Sequence, residues 1–193
     1  VIEMFKYKDK HYVVPYCLSD PLLITYNRSL CEENGLDDPY ELYKKDKWDW
    51  DAFMDMMKTF VSNAKDGETR YGINGWFGQA MVQSTGETFV KYDGSKFSNN
   101  ISNPAIEEAE GAMEEIMSLG LYDPTWYGYL PDDGSTLFFG MADWALGASN
   151  VKADPNPDYE DDGFVEENDL MIVPFPKQPG SDEYYLNCNF GAK

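Results

Sequence analysis

Apolar positions along the chain fall into two rhythms. The first is the short continuous run rich in β-branched and aromatic residues. Tyr12-Val13-Val14-Pro15-Tyr16 and Leu22-Leu23-Ile24-Thr25-Tyr26 read as strands on either side of the polar break Ser19-Asp20-Pro21. Tyr71-Gly72-Ile73 and Leu170-Met171-Ile172-Val173-Pro174 read as buried strands, and Tyr184-Tyr185-Leu186-Asn187-Cys188 as the last one. Phe89-Val90-Lys91-Tyr92 and Lys96-Phe97-Ser98 flank Asp93-Gly94, a hairpin signal. Ser135 to Phe139 predicts a helical segment ending at Gly140. Met141 to Leu146 predicts a strand stopped by Gly147-Ala148-Ser149-Asn150.

The second rhythm has helical spacing. Trp50, Phe53, Met54, Met57, Phe60 and Val61 make one stripe, opened by Asp49 as N-cap. Trp48 before the cap and Phe53 at the fourth helical position have the spacing of a hydrophobic staple. A second helix runs from Pro104, capped by Asn103, to about Leu119 and ends at Gly120. Its inner stripe is Ile106, Ala109, Met113, Ile116 and Met117, and its outer face carries Glu107, Glu108, Glu110, Glu114 and Glu115. Shorter helices are expected over Arg28–Glu33, stopped by Asn34-Gly35, and after Asp38-Pro39. Strands alternating with helices predict an α/β layered domain.

Charge narrows the partners. Over 193 residues, Lys plus Arg is 15 and Asp plus Glu is 35, a net charge of −20. Nucleic acid is bound largely through Lys and Arg on phosphates, so it is excluded as a partner. The same excess disfavours an anionic membrane surface. Hydrophobic residues at 42% and aromatics at 16% rule out disorder and leave rings to spare for a neutral ligand. Cys17, Cys31 and Cys188 form no C-x-x-C and read as small buried hydrophobes. His11 is the only histidine, which nearly removes His-based catalysis, and it reads as exposed.

The ordered set of segments carries more. A strand ending Val14-Pro15-Tyr16 leads into Ile24-Thr25-Tyr26-Asn27-Arg28-Ser29-Leu30 and then Glu32-Glu33-Asn34-Gly35-Leu36. Trp48-Asp49-Trp50-Asp51-Ala52-Phe53 opens a helix, and Asp66-Gly67 precedes Tyr71-Gly72-Ile73. Asn103-Pro104, Leu119-Gly120-Leu121, Phe139-Gly140-Met141-Ala142 and Val173-Pro174-Phe175-Pro176-Lys177 follow in order. From about Lys10 to Ala192 this resembles the extracellular solute-binding proteins of carbohydrate ABC importers, the family that includes maltose-binding protein.

The resemblance implies a periplasmic-binding-protein-like α/β fold, a two-lobed clamshell that closes on sugar and docks on ABC permease subunits in the membrane. Family members begin with another α/β portion and carry more helices after the last strand here. The chain is therefore expected to be mainly one lobe with the crossing strands. Residues 1–20 would be a crossing segment, 21–183 the α/β lobe and 184–193 the return crossing strand. The resemblance also implies a monomer without catalysis or cofactors. Its location would be extracellular or periplasmic, with a lipoprotein anchor in the full-length form.

A neutral sugar offers an apolar face to aromatic rings and a rim of hydroxyls to amides and carboxylates. Such groups belong on loops at the carboxyl ends of strands. One candidate loop holds Tyr16, Ser19 and Asp20, at the lobe crossing by resemblance, where family members place a polar sugar ligand; a plain turn is the alternative. The second is Asn74-Gly75-Trp76-Phe77-Gly78-Gln79, in which Trp76 or Phe77 stacks on a ring unless both pack beneath the loop. The third is Gly147-Ala148-Ser149-Asn150. Family members often place a Trp at or near it, but this chain has Asn150, which leaves hydrogen bonding from Ser149 and Asn150. The loop with Trp126, Tyr127 and Tyr129 either faces the cleft, through Tyr127, or packs.

Asp158, Glu160, Asp162, Gly163, Glu166 and Asp169 have the spacing of a calcium loop. Glu at its third position and Asp at its twelfth depart from that pattern, so a solvated acidic loop is the preferred reading and no metal is expected. Two competing functions remain. A glycoside hydrolase would need two carboxylates flanking the scissile bond, and no pair stands out. A cell-surface interaction domain would use the same fold.

Overall fold

The computed structural model describes residues 6–12, 15–19, 21–125, 127, 130–131, 133–142, 169–186 and 189–192. A four-stranded sheet organises the chain. It is built from β4 (Leu22–Asn27), β5 (Tyr71–Gly75), β8 (Thr136–Ala142) and β9 (Leu170–Pro174), in the order β5-β8-β4-β9. β5 and β8 run parallel, while β4 is antiparallel to both β8 and β9. The crossover from β5 to β8 carries α4 (Gly78–Gln83), the hairpin β6 (Val90–Tyr92) and β7 (Phe97–Asn99), and α5 (Pro104–Ser118). Two short pairs lie outside this sheet: β1 (Lys6–Tyr7) with β2 (Lys10–His11), and β3 (Pro15–Ser19) with β10 (Asn189–Ala192), both antiparallel.

The helices start where the sequence places them. In α1 (Arg28–Glu33), α2 (Pro39–Lys44), α3 (Trp50–Ser62) and α5, the last three begin with a capping side chain. Asp38, Asp49 and Asn103 accept from the backbone N–H of Tyr40, Ala52 and Ala105. The staple forms: the rings of Trp48 and Phe53 meet edge-on with centroids 5.7 Å apart. Phe53 continues into Phe138 and Phe175, and Trp48 Nε1 donates to the carbonyl of Pro174 at 2.9 Å. This buried aromatic cluster locks the start of α3 to β8 and to the end of β9. On α5, Ile106, Ala109 and Ile116 are buried, but Met117 in the last turn is 56% exposed. The five glutamates of its outer face are exposed as expected.

Asp38 does more than cap. It also accepts from the hydroxyl of fully buried Tyr26 and from Arg28 Nε at 2.9 Å. Burial first, and then this hydrogen bond, push the Tyr26 hydroxyl above its ordinary pKa. At the start of α1, the Asp169 carboxylate accepts from the backbone N–H and the hydroxyl of Ser29, each at 2.6 Å. Asp169 is the twelfth position of the calcium-like spacing, and its carboxylate is committed to the protein. The other five positions lie outside the described residues. Cys31 is buried and unpaired, and His11 is exposed.

Two expectations need correction. Ser135–Phe139 is not a helix: β8 is one strand from Thr136 to Ala142, buried at all seven positions. A central strand covered on both faces has no polar alternation, so its apolar run looks like a buried helix segment. The last strand among the described residues is β10, and 184–186 are not in a strand. The rings that suggested a strand there pin an irregular segment instead. Tyr184 packs edge-on against Tyr43 at 4.9 Å, and Tyr185 lies against Gly86.

Candidate ligand-binding site at one end of the sheet

Strand register decides which loops can meet. Gly75 pairs with Gly140, Leu22 with Ala142, and Leu23 with Pro174. The last residues of β5, β8 and β9 and the first of β4 therefore share one end of the sheet. Of the three loops that sequence reasoning selected, Asn74–Gln79 leaves β5 at this end. Ligand crevices in α/β sheets open at such an end. Tyr16 and Ser19 belong to β3, where Ser19 pairs with Asn189. Asp20, Ser149 and Asn150 lie outside the described residues.

The exit from β5 is the best-defined part. Trp76 N–H donates to the carbonyl of Gly140 at 2.6 Å, which draws the turn tightly onto β8. Gly75 sits at φ 91°, and a Cβ there would lie 2.3 Å from the Gly140 oxygen. Both the dihedral and the space require glycine. The tight turn separates the two rings that follow it. Trp76 is 54% exposed, whereas Phe77 is 6% exposed and packs on Tyr122 with ring centroids 5.4 Å apart. α4 starts immediately afterwards at Gly78.

Asn74 belongs to the interior of this end, at 1% exposed. Its Nδ2 donates to the carbonyls of Asp123 at 3.1 Å and Thr125 at 2.6 Å. The 121–125 segment also runs beside β5. Gly72 and Ile73 N–H donate to the Leu121 carbonyl, and Asp123 N–H donates to the Ile73 carbonyl. Asp123 Oδ1 accepts from Thr125 N–H at 2.9 Å, closing an Asx turn. Tyr127, two residues on, is 38% exposed.

A family model for bacterial extracellular solute-binding proteins matches residues 1–188. The chain belongs to this family. No curated protein gives a significant match. Among solved structures, a sugar transporter from Rhizobium etli in an open conformation superposes with a TM-score of 0.68 at 16% identity, covering 99% of this chain and 46% of that one. The sugar-binding protein MalE of the phytopathogen Xanthomonas citri gives 0.70 at 15%, covering 99% and 45%. The cyclic α-maltosyl-1,6-maltose binding protein of Arthrobacter globiformis gives 0.65 at 18%, again covering 99% and 45%.

This solute-binding chain thus spans less than half the length of those structures and has the mixed α/β fold of one part of them. The family consists of extracellular binding proteins. No helix among the described residues is long and apolar enough to cross a membrane, and they contain no cluster of three or more metal-ligating side chains. Sequence reasoning missed two parts of this sheet end, α4 and the Asn74–Asp123 contact. Asp123-Pro124-Thr125 carried a usable turn signal for the second.

Proposed function

We propose that this lobe holds a neutral carbohydrate at the sheet end where β4 begins and β5 and β8 finish, with Trp76 stacking on a sugar ring. The exposed Trp76, fixed by the Gly75 turn, carries this reading. A large aromatic held out by a tight glycine turn, at the kind of sheet end where ligand crevices open, supplies the apolar half of sugar recognition. Tyr127 is a second ring for the same end. Tyr16, Ser19, Asp20, Ser149 and Asn150 supply partners for sugar hydroxyls from the flanking segments, while buried Phe77 packs on Tyr122. Residues 1–20 and 184–193 cross to a second lobe, a division supported by the β3–β10 pair. Sugar closes the two lobes by binding the closed state more tightly. The closed protein then delivers its cargo to an ABC permease as a monomeric, non-catalytic component, anchored as a lipoprotein. Relatives whose names mention sugar or maltose support the ligand class.

The test is calorimetry and thermal shift on the full-length protein with a panel of neutral mono- and oligosaccharides. At least one sugar should bind and raise the melting temperature. Trp76→Ala should weaken that binding by about tenfold or more, ~1.4 kcal/mol. A panel without any binder, or a Trp76→Ala variant with wild-type affinity, refutes the reading.

A further inference from the structure

We propose that Asn74 is a positioning residue of this site rather than a sugar contact: its amide clamps the 121–125 segment, which leads to Tyr127, onto the end of β5 that leads to Trp76. This rests on the carbohydrate reading above. Asn74 occupies the last turn-side position of β5 before Gly75 and Trp76, where a polar side chain invites assignment to the ligand. Its geometry says otherwise. At 1% exposed it offers a sugar no surface. Both hydrogens of Nδ2 go to backbone carbonyls, those of Asp123 and Thr125. Two acceptors at one atom fix the amide orientation, because only the NH2 group can donate to both.

The contact bridges two different elements, the end of β5 and the loop that follows α5. Thr125 is itself locked by the Asp123 turn, so the two hydrogen bonds act on a preformed loop. Tyr127 follows two residues later and is 38% exposed. The Asn74 Oδ1 and Asp123 Oδ2 atoms are buried without a hydrogen-bond partner among the described residues. An orphaned buried acceptor is unfavourable, so the favourable work of this amide lies on its nitrogen. Few other side chains can replace it. Aspartate puts negative oxygen against two carbonyls, alanine donates nothing, and serine donates once.

The experiment compares wild-type full-length protein with Asn74→Ala, Tyr127→Ala and the double variant, using Asn74→Ser if Asn74→Ala does not fold. The first readout is hydrogen exchange of the Asp123 and Thr125 amides without sugar. Exchange should accelerate by at least about tenfold in Asn74→Ala, the effect of losing one to two net hydrogen bonds. The second readout is calorimetry with glucose, maltose and maltotriose. Asn74→Ala should weaken binding by roughly tenfold, and Tyr127→Ala should add little on that background, because both act through one ring. Wild-type exchange in Asn74→Ala overturns the proposal. So does weakened binding with unchanged exchange, which would make Asn74 a direct contact, and so do two penalties that simply add. If wild-type protein binds none of these sugars, the carbohydrate reading fails for them. The exchange comparison, made without sugar, still decides the clamp.

Discussion

Replacing Gly75 by alanine should damage the protein far more than the same change at Gly94. Both glycines have nearly the same dihedral, φ 91° and φ 95°. A non-glycine residue forced there costs about 1–3 kcal/mol. At Gly94, on the hairpin tip, nothing lies within 4 Å of an added Cβ, so the dihedral is the whole penalty. The stiffer unfolded chain offsets part of it, leaving about 1 kcal/mol. At Gly75 the added carbon would meet the Gly140 oxygen at 2.3 Å and the Phe139 ring at 3.1 Å. Overpacking of this kind adds about 1–3 kcal/mol. Relieving it by moving β5 away breaks the bond from Trp76 N–H to Gly140, about 1 kcal/mol more. The expected total is about 3–5 kcal/mol, or a melting temperature lower by roughly 6–20 °C. Urea denaturation followed by far-ultraviolet circular dichroism measures both variants. Gly75→Ala should also weaken sugar binding, because it displaces Trp76, while Gly94→Ala should not. Equal destabilisation of the two variants, within about 0.5 kcal/mol, would show that the Gly140 carbonyl yields freely and that the turn does not fix Trp76.

Asp38→Ala removes the cap of α2 and strips buried Tyr26 of its acceptor, so it should cost about 2–3 kcal/mol by urea titration. Asp38→Asn should recover part of this, since it can still cap; equal losses would assign the effect to charge. Burial pushes the Cys31 thiol from its ordinary 9.0 up to about 12. The unfolded thiol ionises first as pH rises, so this contribution is neutral below pH 9 and falls by up to about 1.4 kcal/mol per pH unit between 9 and 12. Comparing Cys31→Ala with its parent, both carrying Cys17→Ser and Cys188→Ser, isolates it. A pH-independent difference over that window would contradict the burial.

Legibility in the sequence followed the range of the interactions. The helix starts at Asp38, Asp49 and Asn103 were readable because a cap acts within three residues of itself. The Asp93-Gly94 hairpin was readable for the same reason. There Ser95 and Lys96 hold the Asp93 carboxylate, with the Ser95 hydroxyl bond foremost in lowering its pKa. β8 was misread because its identity depends on neighbours distant in sequence, β4 and β5, which cover its two edges. At the site, the loop after β5 was legible as a chain position, and only register shows that it shares a sheet end with the start of β4 and the finish of β8. Asn74 shows the limit most clearly. A polar residue beside an exposed aromatic looks the same in sequence whether its amide faces a ligand or two buried carbonyls.

The aromatic excess therefore carries no ligand information by itself. Trp48, Phe53, Phe138 and Phe175 form one cluster whose function is to join α3 to β8 and β9, and burying each such ring is worth about 2–3 kcal/mol. Tyr92 and Phe97 stack on each other across the exposed hairpin at 4.8 Å. Exposure alone does not single out Trp76 from Phe97, which is more exposed still. The difference is what holds the ring. Phe97 lies on a two-stranded hairpin whose residues are all exposed, and such a hairpin is marginally stable. Trp76 follows a strand of the main sheet, its N–H is bonded to the neighbouring strand, and the preceding residue has no room for a side chain. A stacking ring contributes most when its orientation is fixed before the ligand arrives, because the ordering entropy is then already spent in folding. By that criterion, the fixed backbone around Trp76 favours it over Phe97 as the proposed stacking ring.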